Sequence, residues 1–246
     1  MLGFLVFLII IIIFAYAGAQ GYRIWRSWRV AKQLTKKAQA LESHPDNPDR
    51  RILIIGDSIW AGVGASDPAD SMAGRLIADL PQALVVNKAY GGARIADGRK
   101  QLQEAQSEFE KPFDQIIIQL GANNILDISS LTNAESELRK LLKEAQIDAQ
   151  DVAYTVSGSL GFAPVFWQPL DWFYTTLTRQ YLQVFSAVAH DTGVEYIDLY
   201  RSRENDPFYQ HPGKYYAADM FHPSGDGYGL WYGKCKEKLQ CFQYDR

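Results

Sequence analysis

An α/β fold, built on a parallel sheet covered by helices on both faces, is what this sequence predicts. Three observations carry that reading. Short, uninterrupted apolar runs recur along the chain, as expected of strands buried on both faces. Amphipathic helical patterns separate them. The clearest runs lead into glycine-containing turns, which punctuate secondary structure.

The first strand is read at residues 51–56 (RILIIG), the second at 83–87 (ALVVN) and the third at 114–121 (DQIIIQLG). Weaker strand patterns lie at 151–157 (DVAYTVS) and 194–200 (VEYIDLY). In the segment TNAESELRKLLKEAQ, Leu138, Leu141, Leu142 and Ala145 share one helical face at the spacing i, i+3, i+4, i+7. Thr132 and Glu135 at its start have the spacing of a capping box. Residues 95–110 and 173–191 also read as helices. In such sheets ligands bind beyond the carboxyl ends of the strands, so the chemistry is expected there.

The composition is that of a globular chain. With 246 residues, 47% hydrophobic and 22% charged, the sequence supports one domain with a single large core. The formal net charge of -3 gives no case for a nucleic-acid partner. Cys235 and Cys241 are the only cysteines and no CxxC occurs, which excludes a disulfide scaffold. One bridge or two thiols remain open for that pair.

Residues 2–18 (LGFLVFLIIIIIFAYAG) carry neither charge nor proline, and roughly 17 apolar residues is the lower limit for a membrane span. Tyr22, Trp25 and Trp28 follow, interleaved with Arg23, Arg26 and Arg29, a pattern suited to a membrane–water interface. Lys32, Lys36 and Lys37 extend the basic stretch. A cleaved signal peptide would carry its basic residues ahead of the apolar run, although AYAGA offers small residues for cleavage. An uncleaved single-pass anchor is therefore expected, with the following domain on the cytoplasmic side by charge bias; export to the periplasm or beyond is the alternative. The division expected is 1–21 anchor, 22–50 basic juxtamembrane stem and linker, and 51–246 globular domain. Within the stem, residues 30–43 read as helical, and 44–51 (HPDNPDRR) as turn-forming.

Four segments hold candidate chemistry. The first strand ends in Gly56-Asp57-Ser58, which places a serine where a nucleophile is exposed beside backbone N–H groups. The second leads into Asn87 and the pair Gly91-Gly92, which permits close backbone approach and an N–H aimed at an oxyanion. The third ends in Gly121-Ala122-Asn123-Asn124, and an asparagine amide polarises an oxyanion without carrying charge. Near the C-terminus, Asp219-Met220-Phe221-His222 supplies an imidazole base with a carboxylate three residues before it to fix tautomer and orientation. Each segment alone is a weak signal, and the first three taken singly read more readily as turns or a helix cap. His44, His190 and His211 lack such a setting.

Together, and in this order, the four segments resemble the SGNH hydrolases, also called GDSL esterases and lipases. Gly56-Asp57-Ser58 matches the family's nucleophile block, Gly92 and Asn123 its oxyanion-hole residues, and Asp219 and His222 its D-x-x-H block. The resemblance covers residues 51 to about 240. It implies a three-layer, flavodoxin-like sandwich with a five-stranded parallel sheet, no metal and no organic cofactor. It further implies an acyl-enzyme serine esterase with catalytic Ser58, Asp219 and His222 and an oxyanion hole from Ser58, Gly92 and Asn123. The family block G-x-N-D has Asn124 in place of its aspartate here. Residues 160–174 (LGFAPVFWQPLDWFY), dense in aromatics, read either as loop packing or as an acyl-binding wall. The expected substrate is a small ester or thioester near the membrane, such as a lysophospholipid or short acyl ester. A carbohydrate O-deacetylase and an inactive membrane-tethered interaction module are the alternatives.

Overall fold

The computed structural model describes residues 2–109 and 112–243. Five parallel strands form one sheet in the order β2-β1-β3-β4-β5. They are β1 (Arg50–Gly56), β2 (Ala83–Asn87), β3 (Phe113–Gln119), β4 (Ala149–Thr155) and β5 (Glu195–Ile197). Helices α2 (Met72–Asp79), α3 (Ile95–Glu108), α5 (Leu131–Asp148), α6 (Leu170–Thr192) and α9 (Gly225–Lys236) cover it, with short helices α4 (Ala122–Leu126), α7 (Pro207–Gln210) and α8 (Pro212–Tyr215) at its edge.

The uninterrupted apolar strands explain the two-sided cover. Successive strand side chains point to opposite faces. Leu53, Ile55, Ile116 and Ile118 enter one core with Leu102, Leu138, Leu142 and Phe185. Ile52, Ile54 and Ile117 enter the other with Trp60, Met72, Leu76 and Tyr228. Ile52 to Ile55 are all fully buried, each contributing about 1.5–3 kcal/mol relative to exposure. The strand order reverses beside β1: β2 lies on one side and β3 on the other. The connections leaving β1 and β3 therefore diverge and open a crevice at their carboxyl ends.

Several limits shift from those read in the sequence. The third strand starts at Phe113 and stops at Gln119, and the fourth starts at Ala149 and stops at Thr155. Both are set by pairing, since Phe113 faces Ala149 and Gln119 faces Thr155. Pairing with β4 also holds the fifth strand to Glu195–Ile197. The helix expected over 95–110 is described to Glu108, and residue 110 lies outside the described residues. The α5 cap is not Thr132: the helix begins one residue earlier, and Ser130 Oγ accepts from Asn133 N. Ser130, at φ −55° and ψ 119°, has the non-helical backbone that a capping residue needs, whereas Thr132 is already inside the helix.

The N-terminal segment forms one unbroken helix, α1 (Leu2–Lys37), about 54 Å long at 1.5 Å per residue. Helicity thus ends at Lys37 rather than at 43, and Ser43 instead makes a bridge to Val85 at the sheet edge. Residues 2–19 are exposed along their length, and α1 is the one helix among the described residues long and apolar enough to cross a membrane. Its second half lies on the globular domain, where Gln20 and Ser27 are buried.

Cys235 and Cys241 are both buried and free. Burial pushes each thiol up to about 12. Thiolate is the reacting species. At pH 8 the folded protein is thus expected to react with a water-soluble thiol reagent on the order of 10³-fold more slowly than an ordinary cysteine. Both thiols should then react promptly in denaturant. Fast titration of either one in the native state would contradict this burial.

Candidate active site

The turn that carries Ser58 is held from below. Gly56 closes β1, and the Gln101 side chain of α3 clamps its peptide from both sides: Gly56 N donates to Gln101 Oε1 at 2.8 Å and Gln101 Nε2 donates to Gly56 O at 2.9 Å. The chain then folds over itself. Ile59 N donates to Asp57 Oδ1 at 3.0 Å, Ala61 N to Asp57 O at 3.1 Å and Val63 N to Ser58 O at 2.9 Å. These bonds leave Ser58 partly exposed at the apex while Asp57 and Ile59 are buried.

The histidine loop reaches this turn from far along the chain. His222 Nε2 lies 3.0 Å from Ser58 Oγ, and His222 Nδ1 lies 2.5 Å from Asp219 Oδ2. The carboxylate only accepts, so Nδ1 donates to it and the bare Nε2 is left to accept from the serine hydroxyl. The other carboxylate oxygen accepts from the backbone N–H groups of Phe221 (3.0 Å) and His222 (2.9 Å). The loop bends through Met220, whose φ of 61° is rare for a side-chain-bearing residue. Gly64 makes the approach possible: its φ is +102°, and a Cβ there would sit 2.4 Å from Pro223 O.

Gly92 and Asn123 come to the same place from β2 and β3. Asn87 ties the β2 exit to the nucleophile turn, donating to Trp60 O at 3.0 Å and accepting from Ala89 N at 3.1 Å. Gly92 follows with φ +88° and open space where a Cβ would stand. Asn123 Nδ2 donates to Ala93 O at 2.8 Å, which fixes the amide and leaves its second hydrogen available. Asn124 is turned away and accepts from Ile95 N at 3.0 Å, at the start of α3. That bond needs an oxygen acceptor, which asparagine provides as well as aspartate, and so the departure from the G-x-N-D pattern leaves the site's geometry intact.

Ser58, Gly92, Asn123 and His222 line one cavity of about 300 Å³. Asp219 lies behind it, fully buried. All five residues singled out in the sequence are thus brought together. Leu160, Ala163, Val165 and Phe166 form an apolar wall, so the aromatic stretch both packs and lines the cavity. The helix α1 lines the same cavity through Ile24, Ser27, Trp28 and Ala31. Sequence reasoning missed Gln101, Gly64 and these α1 residues. A polar residue on a helix face otherwise bound for the core was the available signal for Gln101, and the G-x-G spacing of Gly62 and Gly64 for the turn. Nothing local marks the α1 residues. Among the described residues no group of three His, Cys, Asp or Glu is placed to hold a metal ion.

Residues 54–230 match the family model of the GDSL-like lipase/acylhydrolases. The chain belongs to that family. It is an ester-hydrolysing enzyme, and its fold recurs in solved esterase structures. A psychrotrophic esterase, EstA from Pseudoalteromonas sp., superposes with a TM-score of 0.59 at 17% identity over 80% of this chain and 100% of its own. The lipase/acylhydrolase from Enterococcus faecalis gives 0.57 at 24% over 76% and 94%. The acetyl xylan esterase AlAXEase gives 0.58 at 16% over 76% and 98%. A search of curated proteins returned no match.

In this GDSL hydrolase Asp57 is itself unusual. Burial raises its pKa to about 7, against the lowering effects of the Ile59 N–H and His222. Its Oδ2 and both polar atoms of the Gln119 side chain complete no hydrogen bond. An acid whose folded pKa is raised favours the folded state at low pH, and that contribution is lost as pH climbs from about 4 through 7. The loss is on the order of 4 kcal/mol at 1.36 kcal/mol per unit. Asp57→Asn keeps the acceptor for Ile59 N and removes the titration. Its melting temperature relative to wild type is therefore expected to rise by several degrees between pH 5 and pH 8. An identical difference at both pH values would show that Asp57 does not titrate in this window.

Proposed function

We propose that this enzyme hydrolyses carboxylic esters or thioesters of acyl chains through an acyl-enzyme on Ser58, near a membrane to which α1 anchors it. The observation that carries the reading is the continuous hydrogen-bond path Ser58–His222–Asp219 at the floor of an apolar cavity that Gly92 and Asn123 also line. Ser58 Oγ attacks the carbonyl carbon as its proton passes to His222 Nε2, and the carbonyl electron pair moves onto oxygen. The N–H groups of Ser58 and Gly92 and the Asn123 amide are assigned to that oxyanion, where losing one donor typically costs about 10²–10³ in kcat. Collapse expels the alcohol or thiol, which takes the proton from His222. Water, activated by the same imidazole, then releases the acid and restores Ser58.

The intact hydrogen-bond path argues against an inactive module, since an idle site has no reason to keep a buried carboxylate on a histidine. A largely apolar cavity favours an acyl chain, as in a lysophospholipid or short acyl ester, over the acetyl group of a carbohydrate. The basic residues that follow the apolar run favour a cytoplasmic domain.

Ser58→Ala is expected to lose at least 10³-fold in ester hydrolysis, in keeping with the loss of a catalytic serine, while melting within a few degrees of wild type. Wild type, and not the variant, should be labelled covalently by a fluorophosphonate. Activity near the wild-type level in the variant would remove Ser58 from the mechanism.

The chain isolated from membranes should retain residues 2–19, and its catalytic domain should be protected from protease added to intact cells. A mature chain beginning near Gly18 or Gln20, or a domain degraded from outside, would reverse the anchor or its orientation.

A further inference from the structure

A simple tether would need only the apolar run of α1, yet from the end of that run onward the helix is fastened to the catalytic loops by specific bonds. Tyr16 Oη donates to Gln168 O at 2.7 Å. The buried Gln20 amide bridges Val165 O (3.0 Å) and Trp167 N (3.0 Å). Arg23 donates to Pro164 O through Nε at 2.9 Å and Nη2 at 2.7 Å, with its guanidinium 5.0 Å from the Trp167 ring centroid. Ser27 Oγ donates to Asp219 O at 2.5 Å, on the residue that holds the catalytic histidine. These partners fix α1 against both the 163–168 segment and the Asp219 loop.

The face so fixed is the one the cavity meets. Ile24, Ser27, Trp28, Ala31 and Thr35 follow the spacing of a single helical face and all line the cavity that holds Ser58. At the far end, a Cβ on Gly91 would lie 2.8 Å from Thr35 Cγ2, so the helix packs closely on the loop that carries Gly92. The apolar side chains Ile24, Trp28 and Ala31 line the same cavity as Leu160, Val165 and Phe166. Ile24 is six residues past Gly18, about 9 Å along the axis from the end of the apolar run, and Ala31 is about 20 Å from it.

We propose that α1 is part of the active site as well as an anchor: its Ile24–Trp28–Ala31 face is one wall of a slot for a linear acyl chain, and it selects esters of chains longer than acetyl. This rests on the Ser58 esterase reading given above. A slot with one wall on a membrane helix receives amphiphiles with one acyl chain, whose chain lies along the helix while the ester reaches Ser58. Ala31 is the telling position, because its small side chain leaves room that a larger one would fill.

The test uses the full-length protein in nonionic detergent, assayed on chromogenic esters from acetyl to decanoyl. Wild type is expected to show higher kcat/KM for decanoyl than for acetyl. In Ala31→Trp the decanoyl-to-acetyl ratio of kcat/KM should fall by about tenfold or more, the scale on which a hydrophobic pocket discriminates methylenes. Trp28→Ala, at a half-exposed position, should lower the same ratio through KM by removing a wall of the slot. Arg26→Ala, on a face outside the cavity, should keep the wild-type ratio. Ratios unchanged in both wall variants, or a wild type that prefers acetyl, would overturn the proposal while fluorophosphonate labelling at Ser58 still upheld the esterase. A wild type that neither labels nor cleaves any ester would instead overturn the esterase reading, and the slot with it.

Discussion

The carboxylate of Asp219 has no contact with solvent. Taking such a group out of water costs several kcal/mol unless donors replace the lost hydration. Here three donors do so: the imidazole Nδ1 and two consecutive backbone N–H groups. Those bonds require the tight Asp219–His222 loop with Met220 at positive φ, and that loop requires Gly64 beneath it and Ser27 and the 163–168 segment beside it. Satisfying one buried acid thus sets the orientation of the histidine, the position of its free nitrogen over Ser58 and the docking of α1.

The sheet supplies the other half of the site. Because the strand order reverses at β1, the loops after β1 and β3 part and leave a crevice, with the loop after β2 at its rim. Ser58, Asn123 and Gly92 each stand just past one of those strand ends. The two apolar cores hold the strand ends rigid, and the Gln101 clamp extends that rigidity to the last peptide of β1. Reacting groups held in place before substrate arrives spend no binding energy on being ordered.

The two halves of α1 differ in chemical character. The first half is apolar all round and exposed, which suits lipid and not water. The second half turns Gln20, Arg23 and Ser27 onto the domain, where Gln20 and Ser27 are buried, and Trp28 onto the cavity. Tyr16, Gln20, Arg23 and Ser27 all bond to backbone atoms of the domain, so the contact depends largely on the path of the 163–168 segment and the Asp219 loop.

The strands of the sheet and the five site residues were legible in the sequence because their signals are local. A continuous apolar run means two-sided burial, and Gly-Asp-Ser at its end means an exposed turn. Strand limits were less legible, since Glu195–Ile197 stops where β4 stops offering partners. The α5 cap was misplaced by two residues because Thr132-x-x-Glu135 has the right spacing but Ser130 has the right backbone. The bond from Ser27 to Asp219 spans 192 positions and leaves no trace in either local segment. Residue type and spacing thus determined the fold class, the family and which five residues meet at the candidate site, since those signals lie within a few residues of one another. Only the tertiary structure decided that the N-terminal helix walls the cavity and that Asp57 is a perturbed acid, because both depend on which distant segments exclude water from the same place.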